Sequence, residues 1–378
     1  MNPSTNCQIS IRNNSLVILP LRSGNNERTQ KQIDNEINLV KGTPSGELQA
    51  GAIRKIKKYC RNWIEAIQAK DKVDNLKGEL FRQSITFVTL TLSSWQLHDD
   101  QYMNRHYLGA WLKWAKRKYG VVNYLWKAET QKNGNLHYHI LVDKYIPWQD
   151  VRKEWNLIQG KNGIISEYRK EQMDWHKNGF TPRTHLLKKW PMKKQKAAYE
   201  YGKKTNWTDP NSTDIHALKN IENPSSYIIK YMAKAEEERL IEARCWGCSD
   251  NLRELKDFEI LVDNEVLRMV IDAMGDKDLK VINEDHYILI LGGIEDIIKE
   301  KIPNLYDKWQ KNKIDNFYRL KDPIAVKRQK QKAQERIRKW NEYYYEMRMK
   351  QAFNKGERKY LKKKEEEGKY TTLNLFNN

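Results

Sequence analysis

Two histidines and a glutamate near the middle of the chain have the residue types and spacing to hold a metal ion. The run from Glu129 to Leu141 reads ETQKNGNLHYHIL, and His137 and His139 sit inside its apolar strand pattern. Successive side chains of a strand point to opposite faces, so both imidazoles project from the same face. One cation can therefore bridge the two rings.

Glu129 is the candidate third ligand. The polar, glycine-containing run QKNGN separates VNYLWKAE from NLHYHILV, which predicts an antiparallel hairpin with Glu129 facing the histidine pair across the ladder. A His, His, Glu set suits a divalent ion such as Mg²⁺ or Mn²⁺, and too few cysteines surround it for a structural zinc cluster. The sequence leaves open a second interpretation, in which Glu129 is a solvated carboxylate and the histidines serve packing.

Two tyrosines and two lysines follow on one predicted helix. Residues 223–234 read NPSSYIIKYMAK, and the Pro-Ser-Ser run is a helix-start signal. Tyr227 and Tyr231 then share one helix face, with Lys230 and Lys234 each three residues after a tyrosine. A phenol with its ordinary pKa near 10 is a poor nucleophile unless a cation stabilises the phenolate, and either lysine can supply that cation. The pattern also fits a plain amphipathic helix with half-buried tyrosines.

A strand and a helix must support these side chains. Residues 85–92, ITFVTLTL, alternate apolar and polar residues with β-branched enrichment, which predicts a half-buried strand beside the histidine strand. A helix from Tyr102 to Tyr119 follows it. A stretch rich in Trp and Lys then runs from Trp148 to Trp207.

The order FVTLTL, GNLHYH and YIIKY resembles the rolling-circle replication initiators of the HUH endonuclease superfamily, which are named for a histidine, hydrophobic, histidine motif. The two-tyrosine form is most similar to initiators of small single-stranded DNA phages and related plasmids. The resemblance implies that His137, His139 and Glu129 bind the catalytic divalent ion and that Tyr227 and Tyr231 are the nucleophiles.

In that family pattern, Lys230 occupies the position of the motif lysine. The resemblance covers roughly Ile85 to Ser249. It implies an α+β fold, with an antiparallel β-sheet HUH endonuclease core flanked by helices. It also implies a nick through a 5′-phosphotyrosine, with single-stranded DNA and an origin duplex as substrates. No GxxxxGK[ST] phosphate loop occurs in the sequence, so unwinding and synthesis are expected to come from a host helicase and a host polymerase.

Composition agrees with a nucleic-acid partner. The chain has a net charge of +20, with 13 Trp and 20 Tyr among its cations, and aromatic faces offer stacking surfaces for unpaired bases. No apolar run is long enough to span a membrane, and the first residues do not resemble a signal peptide, so we expect a cytoplasmic protein of a bacterial host cell. Cys7, Cys60, Cys245 and Cys248 are expected to be reduced packing residues, with a minor metal or redox alternative for the CWGC pair.

Five segments are expected along the chain. The second is predicted to be a helix with a basic face, the fourth is a small α/β extension, and the fifth is a long basic helical tail that binds phosphates or is simply solvated. In the third, His176, His185 and His216 lack ligand spacing to the main pair and are interpreted as structural or close to DNA. The segments are a loose arm over 1–50, the basic helix over 51–84, the endonuclease domain over 85–249, the extension over 250–310 and the tail over 311–378.

The C-terminal TLNLF is similar to the QLxLF peptide by which bacterial proteins dock on the replicative sliding clamp. Leu373, Leu375 and Phe376 match that peptide, and Thr372 stands where it has glutamine. The sequence does not decide between docking by this tip and a tail that folds back on the extension.

Two other function classes remain open from the sequence. An HUH transposase has the same histidine pair and tyrosine chemistry but joins DNA ends between sites. A non-catalytic single-stranded DNA-binding protein would have structural histidines.

Overall fold

The computed structural model describes residues 7–20, 46–216, 224–232, 239–275, 279–284, 287–321 and 323–354. The chain forms two compact units, Met1–Lys321 and Asp322–Asn378. In the described ranges, we find no helix with both the length and the apolar character needed to cross a membrane.

A five-stranded antiparallel sheet forms the centre of the larger unit. Its spatial order is β6-β3-β5-β4-β7. The strands are β3 (Thr86–Leu90), β4 (Tyr124–Thr130), β5 (Leu136–Val142), β6 (Thr213–His216) and β7 (Trp246–Cys248). Strand β3 pairs directly with β5, which confirms the expected position of the FVTLTL strand beside the histidine strand.

Strands β4 and β5 form the predicted hairpin. In the turn, Gln131 donates its backbone N–H to Asn135, and Gly134 donates to Gln131. Gly134 has a φ of +81°, a conformation that glycine adopts without a Cβ clash. The register that follows from this turn pairs Glu129 with His137.

A second antiparallel sheet combines both ends of the larger unit. Its order is β8-β1-β2-β10-β9. Its strands are β1 (Cys7–Arg12), β2 (Ser15–Pro20), β8 (Phe258–Val262), β9 (Lys280–Glu284) and β10 (Tyr287–Leu291). Strand β1 pairs with β8 and β2 pairs with β10, so the N-terminal hairpin lies in the middle of this sheet.

The expectation of a loose arm over residues 1–50 is therefore wrong for residues 7–20. CQISIR and SLVILP are two short strands joined at a tight turn, and their apolar residues Ile9, Leu16 and Ile18 are buried. The average composition of the first fifty residues hides this short alternating segment. The hairpin also shows that the α/β extension is not built from residues 250–310 alone.

Helices cover the sheets of the larger unit. The helix α3 includes a π-helical turn, Met103–Leu108, between its two α-helical parts, Asp100–Tyr102 and Gly109–Tyr119. The others are α1 (Ala50–Val73), α2 (Glu79–Ser84), α4 (Trp148–Lys161), α5 (Ile164–Trp175), α6 (Met192–Thr205), α7 (Pro224–Met232), α8 (Asp250–Arg253), α9 (Asn264–Ala273), α10 (Ile294–Lys301) and α11 (Pro303–Lys321).

Helix α1 connects the tyrosine helix to the rest of the core. It packs against both α7 and α11. Trp63 of α1 and Ile228 and Met232 of α7 are fully buried in the same apolar core as the central sheet. The exposed side of α1 carries Arg54 and Lys55, so the basic face predicted for this helix exists together with a buried apolar face.

All four cysteines are buried, and none forms a disulfide. Burial raises the pKa of the Cys60 thiol to about 12, so this thiol stays protonated at neutral pH. Their positions fit the expectation of packing residues.

The second unit contains a long helix, α12 (Pro323–Asn354). Exposed cations such as Arg336, Arg338 and Lys339 lie along it, in agreement with the predicted basic C-terminal helix. Residues 355–378, including Leu373, Leu375 and Phe376, lie outside the described residues.

Candidate metal centre and tyrosine helix

The three predicted ligands meet at one point on the central sheet. His137 and His139 project from the same face of β5, and Glu129 lies opposite His137 on β4. The two imidazole Nε2 atoms are 3.0 Å apart, and each is 3.0 Å from Oε1 of Glu129. Three potential donor atoms therefore form an equilateral triangle. This arrangement replaces the picture of a solvated Glu129 carboxylate.

The size of this triangle fits a divalent ion. Adjacent ligands of an octahedral ion with bonds of about 2.1 Å lie about 3.0 Å apart. A tetrahedral site with bonds of the same length would separate them by about 3.4 Å. Among the described residues, Glu129, His137 and His139 are the group of acidic, histidine or cysteine side chains that could hold a metal ion. The spacing matches the octahedral case, which Mg²⁺ and Mn²⁺ prefer.

Threonines from β3 hold the opposite nitrogen of each imidazole. Oγ1 of Thr89 lies 3.1 Å from Nδ1 of His139, and Oγ1 of Thr91 lies 3.4 Å from Nδ1 of His137. A threonine oxygen that accepts from Nδ1–H leaves the lone pair of Nε2 for a metal. The motif FVTLTL thus contributes two orienting hydroxyls, a role that the sequence analysis missed. Their spacing of two residues, with both side chains on one face, was the available signal.

A buried lysine holds the other oxygen of the glutamate. Lys127 lies two residues before Glu129 on the same face of β4, and its side chain is completely buried. Its Nζ donates to Oε2 of Glu129 at 2.7 Å. Oε1 is then the oxygen that faces the histidines, so the carboxylate is oriented as a one-oxygen ligand. The sequence analysis did not single out Lys127.

The electrostatics of this cluster favour the ligand forms of its members. Burial opposes ionisation of Glu129, but the nitrogens of His137, His139 and Lys127 outweigh it and hold the pKa of the carboxyl well below its usual range. Burial also lowers the pKa of His139, and this effect exceeds the opposing attraction of Glu129. An ionised carboxylate and a neutral imidazole are the forms that bind metals.

Helix α7 brings one tyrosine beside this centre. The half-buried ring of Tyr231 lies 6.1 Å from the ring of His139 and 6.1 Å from that of Phe87, measured between ring centroids. Phe87 itself stacks on His139 at 5.7 Å. Lys230 is exposed. Tyr227 lies on the same helix, but its side chain falls outside the described residues, as does all of Lys234.

An ion pair attaches the segment after α7 to the hairpin. Arg239 donates from its two Nη atoms to the two carboxylate oxygens of Asp100 at 2.7 Å. Its Nε donates to the carbonyl of Gly134 in the β4–β5 turn at 2.8 Å. This arginine therefore links helix α3, the hairpin turn and the segment that follows the tyrosine helix. Sequence spacing offered no signal for it.

The remaining predicted histidines lie outside the triangle. His176 follows α5 and is half-buried among aromatic rings. His185 is exposed in a short 3₁₀ turn. His216 ends β6, next to β3, and its side chain is outside the described residues.

The fold and the site together define an α+β protein whose antiparallel sheet presents a candidate metal-binding triad beside a tyrosine-bearing helix. Residues 85–236 match the model of a family described as Replication-associated protein ORF2. The matched segment begins with β3 and includes the hairpin and α7, and it covers less than half of the 378 residues. No curated protein and no solved structure gives a significant match. Over the segment that holds the candidate site, the chain is similar to replication-associated proteins, which supports a replication initiator.

Proposed function

We propose that this protein is a site-specific endonuclease and ligase of single-stranded DNA that nicks an origin and initiates rolling-circle replication. The observation that carries the proposal is the 6.1 Å separation between the rings of Tyr231 and His139, within the segment similar to replication-associated proteins. A phenol next to a His, His, Glu triad combines a nucleophile with a site for a charge-neutralising cation, and phosphodiester transesterification needs both.

Glu129, His137 and His139 would hold the divalent ion, Mg²⁺ or Mn²⁺. When bound, such an ion supplies positive charge that polarises the scissile phosphate and stabilises the negative charge of the transition state. Thr89 and Lys127 keep the ligand atoms directed at one point, which lowers the cost of assembling the site for each reaction.

The covalent step conserves the number of phosphate ester bonds. The phenolic oxygen of a tyrosine attacks phosphorus and forms a new P–O bond, while the bond from phosphorus to the 3′ oxygen breaks. The phenolic proton passes to solvent, and the departing 3′ oxygen gains a proton. The products are a 5′-phosphotyrosine and a free 3′-hydroxyl. The reverse attack by a 3′-hydroxyl restores the DNA strand and needs no nucleotide cofactor.

Two tyrosines on one helix give a reason for both cleavage and closure. After one round of synthesis, the second tyrosine can cut the regenerated origin while the released 3′ end resolves the first covalent bond. Tyr231 is the tyrosine that the structure places beside His139. Tyr227 remains our choice for the first attack, because it lies in the first turn of α7 with Lys230 three residues later.

The partners of this reaction are proposed from the same chemistry. The scissile phosphate must reach the metal centre in unpaired form, so an origin duplex has to be opened locally. The free 3′-hydroxyl would prime a host polymerase, and a host helicase would unwind the duplex. The C-terminal residues Leu373, Leu375 and Phe376 would dock on the host sliding clamp and bring the polymerase close to the nick.

A nicking assay tests the central proposal. The substrate is a supercoiled plasmid that carries the DNA flanking the gene, incubated with Mn²⁺ or with EDTA. We expect nicked circles with protein bound covalently at the 5′ end in Mn²⁺ only, and peptide mass mapping should place the adduct on Tyr227 or Tyr231. An adduct on another residue would contradict the proposed nucleophiles.

The metal ligands are tested in the same assay. The double variant His137→Ala, His139→Ala should lose nicking but keep most of its affinity for single-stranded DNA, because the basic surface supplies that affinity. His185→Ala, which removes an exposed histidine away from the triad, should behave like the wild type. Nicking by the double variant at the wild-type rate would exclude the metal assignment. Binding without nicking by the wild type would favour a DNA-binding protein, and joining of separate DNA molecules would favour a transposase.

Clamp docking has its own test. We expect the intact protein to bind purified bacterial sliding clamp in a titration and the Leu375→Ala, Phe376→Ala variant to bind it much more weakly, with nicking unchanged. Equal binding by the two proteins, or none by either, would exclude this partner.

A further inference from the structure

A cavity of about 410 Å³ lies among the helices that follow the hairpin, outside the metal triad. Helices α4, α5 and α6 and the segments around them contribute its walls. This volume is in the range of pockets that hold one small organic molecule, about 300–1,000 Å³. Six aromatic side chains, all of them half-buried, line the cavity: Tyr168, His176, Phe180, Trp190, Tyr199 and Trp207.

Four of these rings form one packed group around His176. Its ring lies 4.8 Å from Tyr199 and 6.2 Å from both Phe180 and Trp207, and it is nearly parallel to the last two. Its Nδ1 accepts a hydrogen bond from the backbone of Thr181. Burial lowers the pKa of His176, so its ring is neutral at physiological pH. The group is a rigid aromatic wall before any ligand binds.

The backbone beside Trp207 is held in an unfavourable conformation. Asn206 and Trp207 have φ values of +51° and +52°, which side chains with a Cβ rarely adopt. This bend places the indole directly against Gly202, where an added Cβ would lie 2.4 Å from Nε1 of Trp207. Strain of this kind persists where the surrounding contacts fix it, and it is common at binding sites.

The cavity also has charged and polar walls. Arg152 and Arg183 line it, and the guanidinium of Arg152 lies over the ring of Tyr201 at 5.6 Å. The one carboxylate in the lining, that of Asp209, accepts hydrogen bonds from Tyr201 and Asn156 and pairs with Arg152. The charge presented to a ligand is therefore positive on balance.

The cavity begins next to the metal centre. Leu92 and Ser93 line it, and they directly follow Thr91, whose Oγ1 lies 3.4 Å from Nδ1 of His137. The carbonyl of Thr91 also accepts from the indole of Trp155 in α4, at 2.7 Å. The end of β3 thus joins the candidate metal ligands to the aromatic cavity through consecutive residues.

We propose that this cavity receives one unpaired base of the DNA strand near the scissile phosphate. The proposal rests on the nuclease function proposed above and deepens it by assigning a subsite for a flanking nucleotide. Every base has a flat face that stacks on aromatic rings, and a guanidinium can pair with the adjoining phosphate. A base held there would fix the strand relative to the metal centre, which converts loose electrostatic binding into a defined position for cleavage.

Binding measurements without metal test the subsite separately from catalysis. A short fluorescein-labelled single strand of mixed sequence is titrated in EDTA at several salt concentrations, with fluorescence anisotropy as the readout. Trp190→Ala should weaken binding about fivefold or more without changing its salt dependence, because stacking is not ionic. Arg183→Gln should flatten the slope of log affinity against log salt by about 0.7, the value for one phosphate contact on a single strand. Trp148→Ala removes an exposed tryptophan of α4 that is outside this cavity, and it should bind like the wild type.

A cross-linking experiment on the wild-type protein covers the case in which a variant does not fold. Irradiation of the protein with an oligonucleotide containing 5-iododeoxyuridine should give adducts on peptides that contain Phe180, Trp190 or Tyr199. The absence of adducts there would overturn the subsite, as would wild-type affinity of Trp190→Ala or an equal loss of affinity by this variant for duplex DNA. If the wild type nicks DNA but cross-links elsewhere, only the subsite is wrong. If it cross-links here but never nicks, only the nuclease proposal is wrong.

Discussion

Lys127 and Glu129 form an ion pair of 2.7 Å at the edge of the candidate metal centre, and the lysine side chain is fully buried. A buried cation is costly unless it is paired, so Lys127 depends on Glu129 as much as it orients it. The pair leaves one carboxylate oxygen for the histidine side.

Replacement of Lys127 gives a prediction with a definite sign. Lys127→Met should destabilise the metal-free protein by about 3 kcal/mol, because one partner of a buried pair is lost. Mn²⁺ should then raise the melting temperature of this variant more than that of the wild type, because the metal replaces the missing positive charge. Lys132→Met, at an exposed position in the same hairpin, is the matched control and should show the wild-type metal effect. A smaller Mn²⁺ effect in Lys127→Met would contradict this role.

The threonine beside His139 gives a second prediction. Thr89→Val keeps the shape of the side chain but removes the oxygen that lies 3.1 Å from Nδ1, so affinity for Mn²⁺ should fall about 10- to 100-fold. Calorimetric titration of Mn²⁺ measures the change. Thr86→Val is the control on the same strand, because its hydroxyl donates to the carbonyl of Lys144 and not to the triad. Equal Mn²⁺ affinities for all three proteins would rule out the orienting role.

The two tyrosines should be partly redundant. Tyr227→Phe and Tyr231→Phe are each expected to retain some cleavage, since loss of a hydroxyl preserves the packing of α7, and the double variant should form no covalent adduct. Denaturing gels of labelled DNA measure the adduct. Tyr145→Phe, at an exposed position, controls for the loss of a phenol. Full activity of Tyr231→Phe would indicate an enzyme that uses one tyrosine, and an adduct in the double variant would move the chemistry elsewhere.

The Asp100–Arg239 pair predicts a pH dependence of stability. Burial opposes ionisation of Asp100, but hydrogen bonds from Arg239, Gln96 and the backbone of Glu242 prevail and lower its pKa. Because the folded pKa is below the unfolded value of about 3.9, the stabilisation is complete above about pH 4 and is lost as the pH falls through the folded pKa.

Asp100→Asn should therefore cost about 2 kcal/mol of unfolding free energy at neutral pH, and the difference from the wild type should narrow below about pH 4. Urea unfolding at a series of pH values provides the measurement. Asp174→Asn, which changes a carboxylate on the exposed side of α5, should have little effect at any pH. A wild-type difference that stays constant down to acid pH would contradict the ion-pair explanation.

Local patterns were sufficient for the core of the candidate site. The alternation in LHYHILV places His137 and His139 on one face of a strand, and the turn QKNGN sets the register that brings Glu129 opposite them. These relationships involve residues close in sequence, so the geometry of one hairpin determines them. The α+β class and the strand next to β5 follow from similar patterns.

The contacts that refine the site come from distant parts of the chain. Thr89 reaches His139 only because β3 pairs with β5 in one register, and Arg239 reaches Asp100 after a long excursion of the chain. The N-terminal hairpin was misjudged because its place in a sheet depends on β8 and β10, more than two hundred residues later. Pairing over such distances leaves no periodic signal in the sequence.

The sequence by itself determined which residue types face one another within the hairpin and along the tyrosine helix, because strand and helix periods act over a few residues. Only the tertiary structure decided that Tyr231 lies beside His139, that the side chain of Lys127 is buried against Glu129, and that the rings around His176 enclose a cavity at the end of β3. Those arrangements depend on how separate elements pack, and burial of their apolar faces sets that packing through many weak contacts distributed along the chain.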